Sequence, residues 1–532
     1  MPLKSIACSA VCDALAASIV SVESSYTRGY AGIQLIGNAS DVCRDGKERA
    51  RAALERCGLP LPPRRLVISI APADVKKDGN HLDLPIAISL ALLIKEDSVP
   101  HHDPSEWLFA AELGLDGLLR PVRGIVSFAI AAVARGLRGI IVAPDNLREV
   151  EALTRFRHAR LAGLERLAFS NLGEVLAWVF AGTVLESAPP FDAREDLMAL
   201  PGPDFDDMVL DGRQEIAALA VATGLHSVLL RGTPGTGKSM LARRLVSILP
   251  DMTPEEHLEA LQIQSSFSQS IPTALLRGRP PFRAPHHQAS PQAIVGSGDG
   301  PGEISLSHGG ILFLDELPEF RRDIIEALRE PLESGEIMVS RARGKVTWKA
   351  RIILVAAANN CPCGWFGSKR RRCDCSTQRL LCYRLKLSGP ILDRIDIHFN
   401  AAEAPRGAKD SLFRPGAAAD RTQVLRDRVL SGREFGRARN EQFGIKFNRE
   451  LETRHMLAAG GLSEARFRLL VQPYLEQTTS ARALVRALRV ARTLADLDES
   501  ATLRSEDLEL AWSWQAETAA RERGEDATGA FV

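Results

Sequence analysis

The 532-residue sequence lacks any apolar run of about 18–20 residues, the length that a membrane-spanning helix needs, so we expect no membrane span. It also lacks an excess of charge of either sign, because 67 Lys and Arg residues stand against 66 Asp and Glu residues. A chain with a net charge of only +1 has no general attraction for nucleic acid, so any basic surface must be local. Internal repeats and extended low-complexity segments are absent too. The length therefore predicts several globular domains, each with its own core.

One stretch places a glycine-rich loop between a short apolar run and a helix-like segment. Residues 228–230 are apolar, residues 232–239 read GTPGTGKS, and residues 240–249 have helical character. This is the strand–loop–helix context of a phosphate-binding P-loop, in which glycines let backbone N–H groups face phosphate oxygens. Lys238 would reach the β- and γ-phosphates, and Ser239 would bind Mg²⁺. The predicted nucleotide-binding residues are Gly232, Thr233, Pro234, Gly235, Thr236, Gly237, Lys238 and Ser239.

A second apolar run ends in two carboxylates. Residues 311–314 read ILFL, and Asp315 and Glu316 follow them in the Walker B arrangement. Asp315 would hold Mg²⁺ through water or Ser239, and Glu316 would polarise the attacking water. An acidic pair at a solvated strand end is the alternative. Four consecutive apolar residues downstream of a P-loop favour the catalytic interpretation.

Composition and periodicity divide the chain into four parts. Residues 1–185 alternate strand-like and helix-like segments, which predicts an α/β domain of its own. Proline- and glycine-containing sequence at 186–203 predicts a linker. The ATPase core is predicted at 204–400, and a C-terminal helical domain is predicted at 401–532.

Several longer strings occur in a fixed order along the chain. They are PFRAPHH at 281–287, PGEISLSH at 301–308, GILFLDELPEF at 310–320 and LSGPILDRID at 387–396, preceded by RARAAL at 49–54 and APADVKKDGNHLDLPIA at 71–87. With these strings the chain resembles, over nearly its whole length, the magnesium-chelatase-like AAA+ ATPases of the bacterial ComM/YifB family.

The resemblance implies roles for three further residues. Asn359, at the end of the predicted strand 351–357, would be sensor 1 and would orient the lytic water. Arg394 would be an arginine finger that reaches the γ-phosphate of a neighbouring subunit, and Arg482 would be sensor 2. Taken alone, either arginine would more often be a surface or ion-pair residue. A finger that acts in trans makes ATPase activity depend on assembly, and we expect a hexameric ring.

The resemblance also implies the fold class. It is α/β, with an N-terminal Lon-protease-like, ribosomal-S5-like α+β domain, an AAA+ α/β core with a hairpin before sensor 1 and a zinc-binding insert, and a C-terminal helical lid. A Lon-type peptidase would need a nucleophilic serine just after the Lys-Asp-Gly turn, and KDGNHLD at 77–83 offers none. We therefore interpret the N-terminal domain as non-proteolytic, a scaffold or a DNA-contacting collar.

Nine cysteines comprise four isolated residues and a cluster at 361–382. With an ATPase core, this distribution indicates a reducing cytoplasm rather than a disulfide-bonded protein. Cys361 and Cys363 form one tight pair, and Cys373 and Cys375 form another. Four thiolates can close a tetrahedral Zn²⁺ site, and the family resemblance favours zinc. The C-x-C spacing is less specific than C-x₂₋₄-C, so a redox pair or free thiols stay open.

Two local groups of cations are candidates for DNA contact. Residues 335–349 read as two strands joined by a turn, and in the family that the chain resembles this hairpin projects into the ring pore. Cations there would hold a phosphate backbone without reading its sequence. A solvated loop and a hairpin without a ligand are the alternatives. The candidates are Arg341, Arg343, Lys345 and Lys349 in the hairpin, and Lys369, Arg370, Arg371 and Arg372 between the cysteine pairs.

Three functions compete. The first, implied by the resemblance, is an ATP-driven hexameric DNA helicase that promotes branch migration in the homologous recombination of incoming DNA. The second is a chelatase motor that drives Mg²⁺ into a porphyrin, and the third is a nucleotide-switched scaffold without catalysis. The Lon-like domain, the cysteine insert and the basic hairpin favour DNA, and the intact catalytic residues count against a scaffold. The expected cofactors are ATP, Mg²⁺ and Zn²⁺, and the expected partners are DNA and further copies of the chain.

Overall fold

A computed structural model describes residues 6–155, 161, 163–183, 202–208, 210–298, 300–341, 344–368, 370–387, 389–401, 420–477 and 481–515. The chain separates into two compact units that interleave in sequence. Unit 1 takes its described residues from Met1–Ala199, Met252–Arg279 and Val346–Trp348. Unit 2 takes them from Leu200–Asp251, Pro280–Lys345 and Lys349–Val532. The domain boundaries drawn from the sequence remain predictions.

The described residues form strands and α-helices that are numbered here in chain order. The strands are β1 (Ile6–Asp13), β2 (Ala16–Thr27), β3 (Gly32–Ile36), β4 (Arg65–Ala71), β5 (Trp107–Ala110), β6 (Glu112–Leu113), β7 (Leu119–Arg120), β8 (Gly139–Val142), β9 (Glu165–Ala168), β10 (Val228–Arg231), β11 (Phe282–Arg283), β12 (Gly296–Ser297), β13 (Gly300–Pro301), β14 (Ile311–Leu314), β15 (Glu336–Arg341), β16 (Gly344–Lys349), β17 (Ile353–Ala358) and β18 (Ile397–Asn400). The helices are α1 (Asp41–Arg56), α2 (Asp83–Ile94), α3 (Ile125–Arg135), α4 (Pro144–Arg155), α5 (Leu172–Ala181), α6 (Gly212–Gly224), α7 (Lys238–Ile248), α8 (Pro254–Phe267), α9 (Thr273–Leu276), α10 (Pro291–Val295), α11 (Glu303–Leu306), α12 (Arg322–Ala327), α13 (Arg329–Ser334), α14 (Thr377–Leu385), α15 (Gly389–Leu392), α16 (Arg421–Asn440), α17 (Met456–Ala459), α18 (Glu464–Gln477), α19 (Ala481–Leu497) and α20 (Ser505–Ser513).

A seven-stranded mixed sheet with the strand order β3-β4-β2-β1-β5-β8-β9 forms the centre of unit 1. The β1–β2 and β2–β4 pairs are antiparallel, and the remaining neighbours are parallel. α2 packs on this sheet and is buried from Asp83 to Ala91, as expected for a helix that is apolar on all sides. The buried Asp83 carboxylate is matched by Arg49 of α1, whose Nε and Nη2 donate to it at 2.7 and 3.0 Å.

The segment between α7 and β11 also belongs to unit 1. α8 begins with a capping box in which the side chains of Thr253 and Glu256 each accept from the other residue's amide. α8 packs with α3 and α4 in one hydrophobic core. Within it, Ser265 of α8 donates to the Glu149 carboxylate of α4 at 2.8 Å. Burial raises the pKa of Glu149 to about 8.

A five-stranded parallel sheet with the order β11-β14-β17-β10-β18 forms the centre of unit 2. β14 and β17 are buried along their whole lengths, and such continuous apolar runs are typical of parallel strands covered on both faces. Because the strands are parallel, their carboxyl ends lie at one edge, where sheets of this kind bind ligands. The loops that follow β10, β14 and β17 leave the sheet at this edge.

The C-terminal helices share one hydrophobic core with the sheet of unit 2, and α19 contacts α6, α16 and α20. A buried polar contact ties α19 to the sheet. Nε2 of the His226 ring shares a hydrogen bond of 2.8 Å with Thr493 Oγ1. Nδ1 of the same ring lies 3.3 Å from Oδ2 of Asp396. His226 precedes β10 and Asp396 precedes β18, so the helix is linked to the starts of two adjacent strands.

The predicted α/β fold class with a helical C-terminal region is confirmed, and the sheet of unit 2 is parallel. In the part of the chain that the structure describes, no helix combines the length and the apolarity that crossing a membrane requires.

Candidate active site

The loop 232–237 joins β10 to α7 at the carboxyl edge of the sheet of unit 2. Gly235 and Gly237 have φ angles of +80° and +83°, a left-handed conformation that favours glycine. A Cβ atom at Gly235 would meet no atom within 4 Å, so space lies open beside the loop. α7 begins at Lys238, and the positive end of its helix dipole therefore adjoins the loop. The local geometry suits a phosphate group.

Three oxygens hold the amine of Lys238. Its Nζ donates to the carbonyls of Gly232 and Thr233 at 2.8 and 2.9 Å, and to Oδ1 of Asn359 at 3.3 Å. Burial lowers the pKa of Lys238, and the nearby carboxylates of Asp315 and Glu316 partly oppose that shift. Phosphate oxygens carry more negative charge than carbonyl oxygens, so a nucleotide would be a stronger partner for this amine.

The two predicted magnesium ligands are in direct contact. The Ser239 hydroxyl at the start of α7 donates to Oδ2 of Asp315, just after β14, at 2.9 Å. Glu316 has a φ of +55°, a conformation that is uncommon for a residue other than glycine and that recurs at functional sites. Both carboxylates are exposed although the strand that precedes them is fully buried. The sheet thus presents two acids at its edge.

A cavity of about 550 Å³ lies next to these groups. Glu316 and Asn359 form part of its wall, and Asn359 directly follows β17, which lies between β14 and β10 in the sheet. Asn359 therefore touches both the P-loop lysine and the cavity. The structure brings together Lys238, Ser239, Asp315, Glu316 and Asn359, and the catalytic roles assigned to them stay predictions.

Arg394 and Arg482 line a second cavity of about 600 Å³. Arg394 Nη1 donates to the carbonyl of Pro390 at 2.7 Å, and its Nη2 pairs with Glu333. Arg482 is exposed in the first turn of α19. The structure thus places the predicted arginine finger and sensor 2 together, in a cavity whose wall includes none of the P-loop residues. Their roles in catalysis also stay predictions.

The four cysteines at 361–375 converge although twelve residues separate the first from the third. Their sulfur atoms all lie within 4.8 Å of one another. The Cys361–Cys363, Cys361–Cys373 and Cys363–Cys373 Sγ distances are 3.3, 3.7 and 3.6 Å. Backbone amides, that of Trp365 first, lower the pKa of Cys363 to about 6, which favours a thiolate. The cluster could hold a metal ion.

The cations predicted to contact DNA are only partly described. Lys345 is exposed and Lys349 is half-buried on β16, which pairs with β15 in a two-stranded sheet. The exposed residues 370–372 include Arg371, whose guanidinium lies 5.5 Å from the Trp365 ring centroid. Arg343 and Lys369 lie outside the described residues, and Arg341 is described only as the last backbone position of β15. Binding of DNA by this group stays a prediction.

No sequence motif indicated the residues of α14 that line the cavity beside Glu316. They are Arg379, Cys382 and Tyr383, with Lys386 one residue beyond Leu385, the last residue of the helix. The only available signal was their position between sensor 1 and the arginine-finger string. A basic or aromatic residue in that interval is too common to indicate a site.

Comparison with known proteins gives three family matches. Residues 204–408 match the family of magnesium chelatase, subunit ChlI, residues 22–146 match subunit ChlI of Mg-chelatase, and residues 419–515 match the C-terminal part of that subunit. A P-loop, a Walker B pair and a parallel sheet that fit these matches define a magnesium-chelatase-like AAA+ protein.

Relatives that match nearly the whole chain identify its family within this class. The chain is 37% identical over 499 residues to protein YifB of Escherichia coli, a match that covers 93% of this chain and 94% of the relative. It is 36% identical over 484 residues to competence protein ComM of Haemophilus influenzae, covering 90% and 91%. The magnesium-chelatase 38 kDa subunit of Rhodobacter capsulatus is 27% identical over 168 residues, covering 28% of this chain and 47% of that subunit. The chain belongs to the ComM/YifB family.

Proposed function

We propose that the protein is an ATP-hydrolysing DNA motor that works as a hexameric ring. The observation that carries the ATPase activity is the convergence of Lys238, Ser239, Asp315 and Asn359 at the carboxyl edge of one parallel sheet. In hydrolysis, a water oxygen bonds to the γ-phosphorus as the bond to the bridging oxygen of ADP breaks. Glu316 would orient that water and take its proton, and Asn359 would hold it in line.

The donor atoms present fit Mg²⁺. Ser239 Oγ and the Asp315 carboxylate are hard oxygen donors, and they lie 2.9 Å apart. Two adjacent ligands of an octahedral Mg²⁺ ion, each about 2.1 Å from the metal, lie about 3.0 Å apart. When bound, the ion would neutralise charge that develops on the phosphate oxygens.

The cysteine cluster fits Zn²⁺ by the same test. Four sulfurs placed about 2.3 Å from a tetrahedral ion are about 3.8 Å apart, and the sulfur distances of 3.3 to 3.7 Å are close to that value. Cys361, Cys363, Cys373 and Cys375 would hold the ion as thiolates. The metal would fix the loop in which the basic residues 370–372 lie.

The DNA part of the proposal draws on the relatives and on local charge. One relative that matches nearly the full length is named a competence protein, and competence concerns the recombination of incoming DNA. Lys345 and residues 370–372 offer exposed cations on a chain that is otherwise neutral. We infer that the motor is a helicase that promotes branch migration. A ring would repeat each cation in every subunit and so multiply its phosphate contacts.

A chelatase motor is the alternative function. Its supporting relative aligns with only 28% of this chain, whereas the competence relative aligns with 90%. The 38 kDa chelatase subunit therefore aligns with less of the chain than the competence protein does.

The decisive experiment measures strand displacement and branch migration on fluorescently labelled four-way DNA junctions, together with DNA-stimulated ATP turnover. The wild-type protein should move junctions only with ATP and Mg²⁺. Glu316→Gln should bind ATP but neither hydrolyse it nor move the junction. A wild-type protein that hydrolyses ATP without DNA stimulation or junction movement would refute the DNA motor and leave the ATPase standing.

The DNA surface needs its own test. Arg341→Ala combined with Arg343→Ala should weaken DNA binding and flatten its salt dependence, by a slope of about 0.9 for each duplex phosphate that the protein no longer neutralises. Basal ATP turnover should persist because the Walker residues lie elsewhere in the sequence. Arg466→Ala, which removes an exposed charge from α18, is the matched control. Unchanged DNA affinity and salt slope in the double variant would remove the hairpin from the proposal.

A further inference from the structure

The cavity beside the predicted catalytic residues is also lined by residues that no sequence motif predicted. Glu316 and Asn359 line it together with Arg379 and Lys386. Asn359 Oδ1 also accepts from Lys238 Nζ at 3.3 Å. Since that lysine would reach the β- and γ-phosphates, the terminal phosphate of ATP would lie at the mouth of this cavity.

α14, the helix that carries Arg379, has a side-chain contact at each end. Ser376, which directly follows Cys375, caps α14 by accepting from the Arg379 amide at 3.3 Å. Just past the other end, Lys386 Nζ donates to both carboxylate oxygens of Glu319 at 3.1 Å. α14 thus follows the cysteine cluster directly in sequence, and just past its end it is joined to Glu319 in the turn after the Walker B pair.

The two basic side chains of the cavity differ in whether an acidic side chain neutralises them. Lys386 is neutralised by Glu319, whereas the Arg379 guanidinium has no ion pair or side-chain hydrogen bond to any described residue. A guanidinium fork matches two phosphate oxygens at once, and a triphosphate would bring several negative charges to this space. We propose that Arg379 contacts the γ-phosphate of ATP bound in the same subunit, an assignment that rests on the proposed ATPase function.

The loop before α14 connects this arginine to the P-loop. Gly364 packs on Pro234 so closely that a Cβ atom at Gly364 would lie 2.7 Å from Pro234 Cγ. The Asn360 side chain donates to the carbonyl of Phe366 at 3.1 Å, and the Phe366 amide lies 3.2 Å from Cys361 Sγ. The segment that begins at Asn359 therefore contacts the P-loop through Gly364, includes the cysteine cluster and continues into α14.

The test compares the affinities for ATP and ADP in full-length protein that carries Glu316→Gln, so that ATP persists during titration. Adding Arg379→Ala should weaken ATP binding about tenfold or more, as expected for the loss of a charge-assisted hydrogen bond, and leave ADP binding within about twofold. Arg379→Lys should restore part of the ATP affinity because it keeps a cation without the fork. Arg466→Ala is the matched control, and thermal melting verifies that each variant is folded.

Turnover separates this proposal from the ATPase proposal. In the otherwise wild-type chain, Arg379→Ala should lower ATP turnover while Arg466→Ala leaves it unchanged. If the wild-type protein fails to bind or hydrolyse ATP, the proposed function fails and this assignment fails with it. If the wild type hydrolyses ATP and Arg379→Ala keeps its ATP-to-ADP preference, the assignment alone is overturned. Weakened DNA binding with unchanged nucleotide affinities would likewise overturn it and make Arg379 a DNA contact.

Discussion

Replacing Gly364 by alanine should loosen the hold of the cysteine loop on the P-loop. The added Cβ would lie 2.7 Å from Cγ and 2.9 Å from Cδ of Pro234. Non-bonded carbon atoms rest about 3.5–4.0 Å apart, so one side must move. The closed ring of proline restricts how far its Cγ and Cδ atoms can move. The strain must therefore displace either the P-loop or the loop that carries Gly364.

A matched control separates this packing effect from backbone strain. Gly364 has a φ of +83° and Gly367 has a φ of +80°, so alanine costs each about 1–2 kcal/mol of stability. At Gly367 the nearest atom to the added Cβ is Asn360 Nδ2 at 3.9 Å, an ordinary contact. Gly364→Ala should lose a further amount of about 1–3 kcal/mol through overpacking. The difference between the two variants measures the contact with Pro234.

Nucleotide affinity is the decisive measurement. A loss of 1.4 kcal/mol in binding corresponds to a tenfold change, so titration with a non-hydrolysable ATP analogue should give Gly364→Ala about tenfold weaker binding. Gly367→Ala should stay within about twofold of the wild type. Thermal melting should show both variants folded. Equal nucleotide affinities in the two variants would refute the inference that the cysteine loop supports the P-loop.

Three further predictions concern assembly, metal and pH. Lys238→Ala and Arg394→Ala proteins should each lack ATP turnover. Rings that contain subunits of both variants should recover part of the turnover if Arg394 acts across an interface. Confirmed mixed rings without activity would indicate that Arg394 acts in cis. Replacing Cys361 and Cys373 together by serine should abolish zinc binding measured by elemental analysis, and an unchanged metal content would refute the site. Glu149 has a pKa raised from 4.5 to about 8, so its contribution to stability is full below pH 4.5 and is lost as the pH rises towards 8. Glu149→Gln should remove this change of stability with pH, which amounts to up to about 4 kcal/mol, so the variant should be more stable than the wild type near pH 8 in thermal melting. Parallel stability-versus-pH profiles of the two proteins would contradict the assignment.

Local sequence carried much of the fold and the core of the candidate site. β14 and β17 are continuous apolar runs because both faces of a central parallel strand are covered, so their type could be predicted without a structure. The P-loop could be predicted because its glycines and Lys238 act within eight consecutive residues. The family strings extended this to Asn359, which does lie beside Lys238.

Long-range packing decided what the motifs could not. α8 and α9 follow the P-loop helix in sequence but pack in unit 1, because the apolar face of α8 is complementary to α3 and α4 rather than to its sequence neighbours. α14 carries no motif, and only the tertiary structure places Arg379 in the wall of the cavity beside Glu316.

The sequence by itself determined the class of sheet, the phosphate loop and the acidic pair, since each depends on the chemistry of adjacent residues. Only the tertiary structure decided that Gly364 packs on Pro234 and that Arg394 shares a cavity with Arg482. Such contacts join residues far apart in the chain. They depend on how whole elements fit together, and neither periodicity nor motif spacing contains that information.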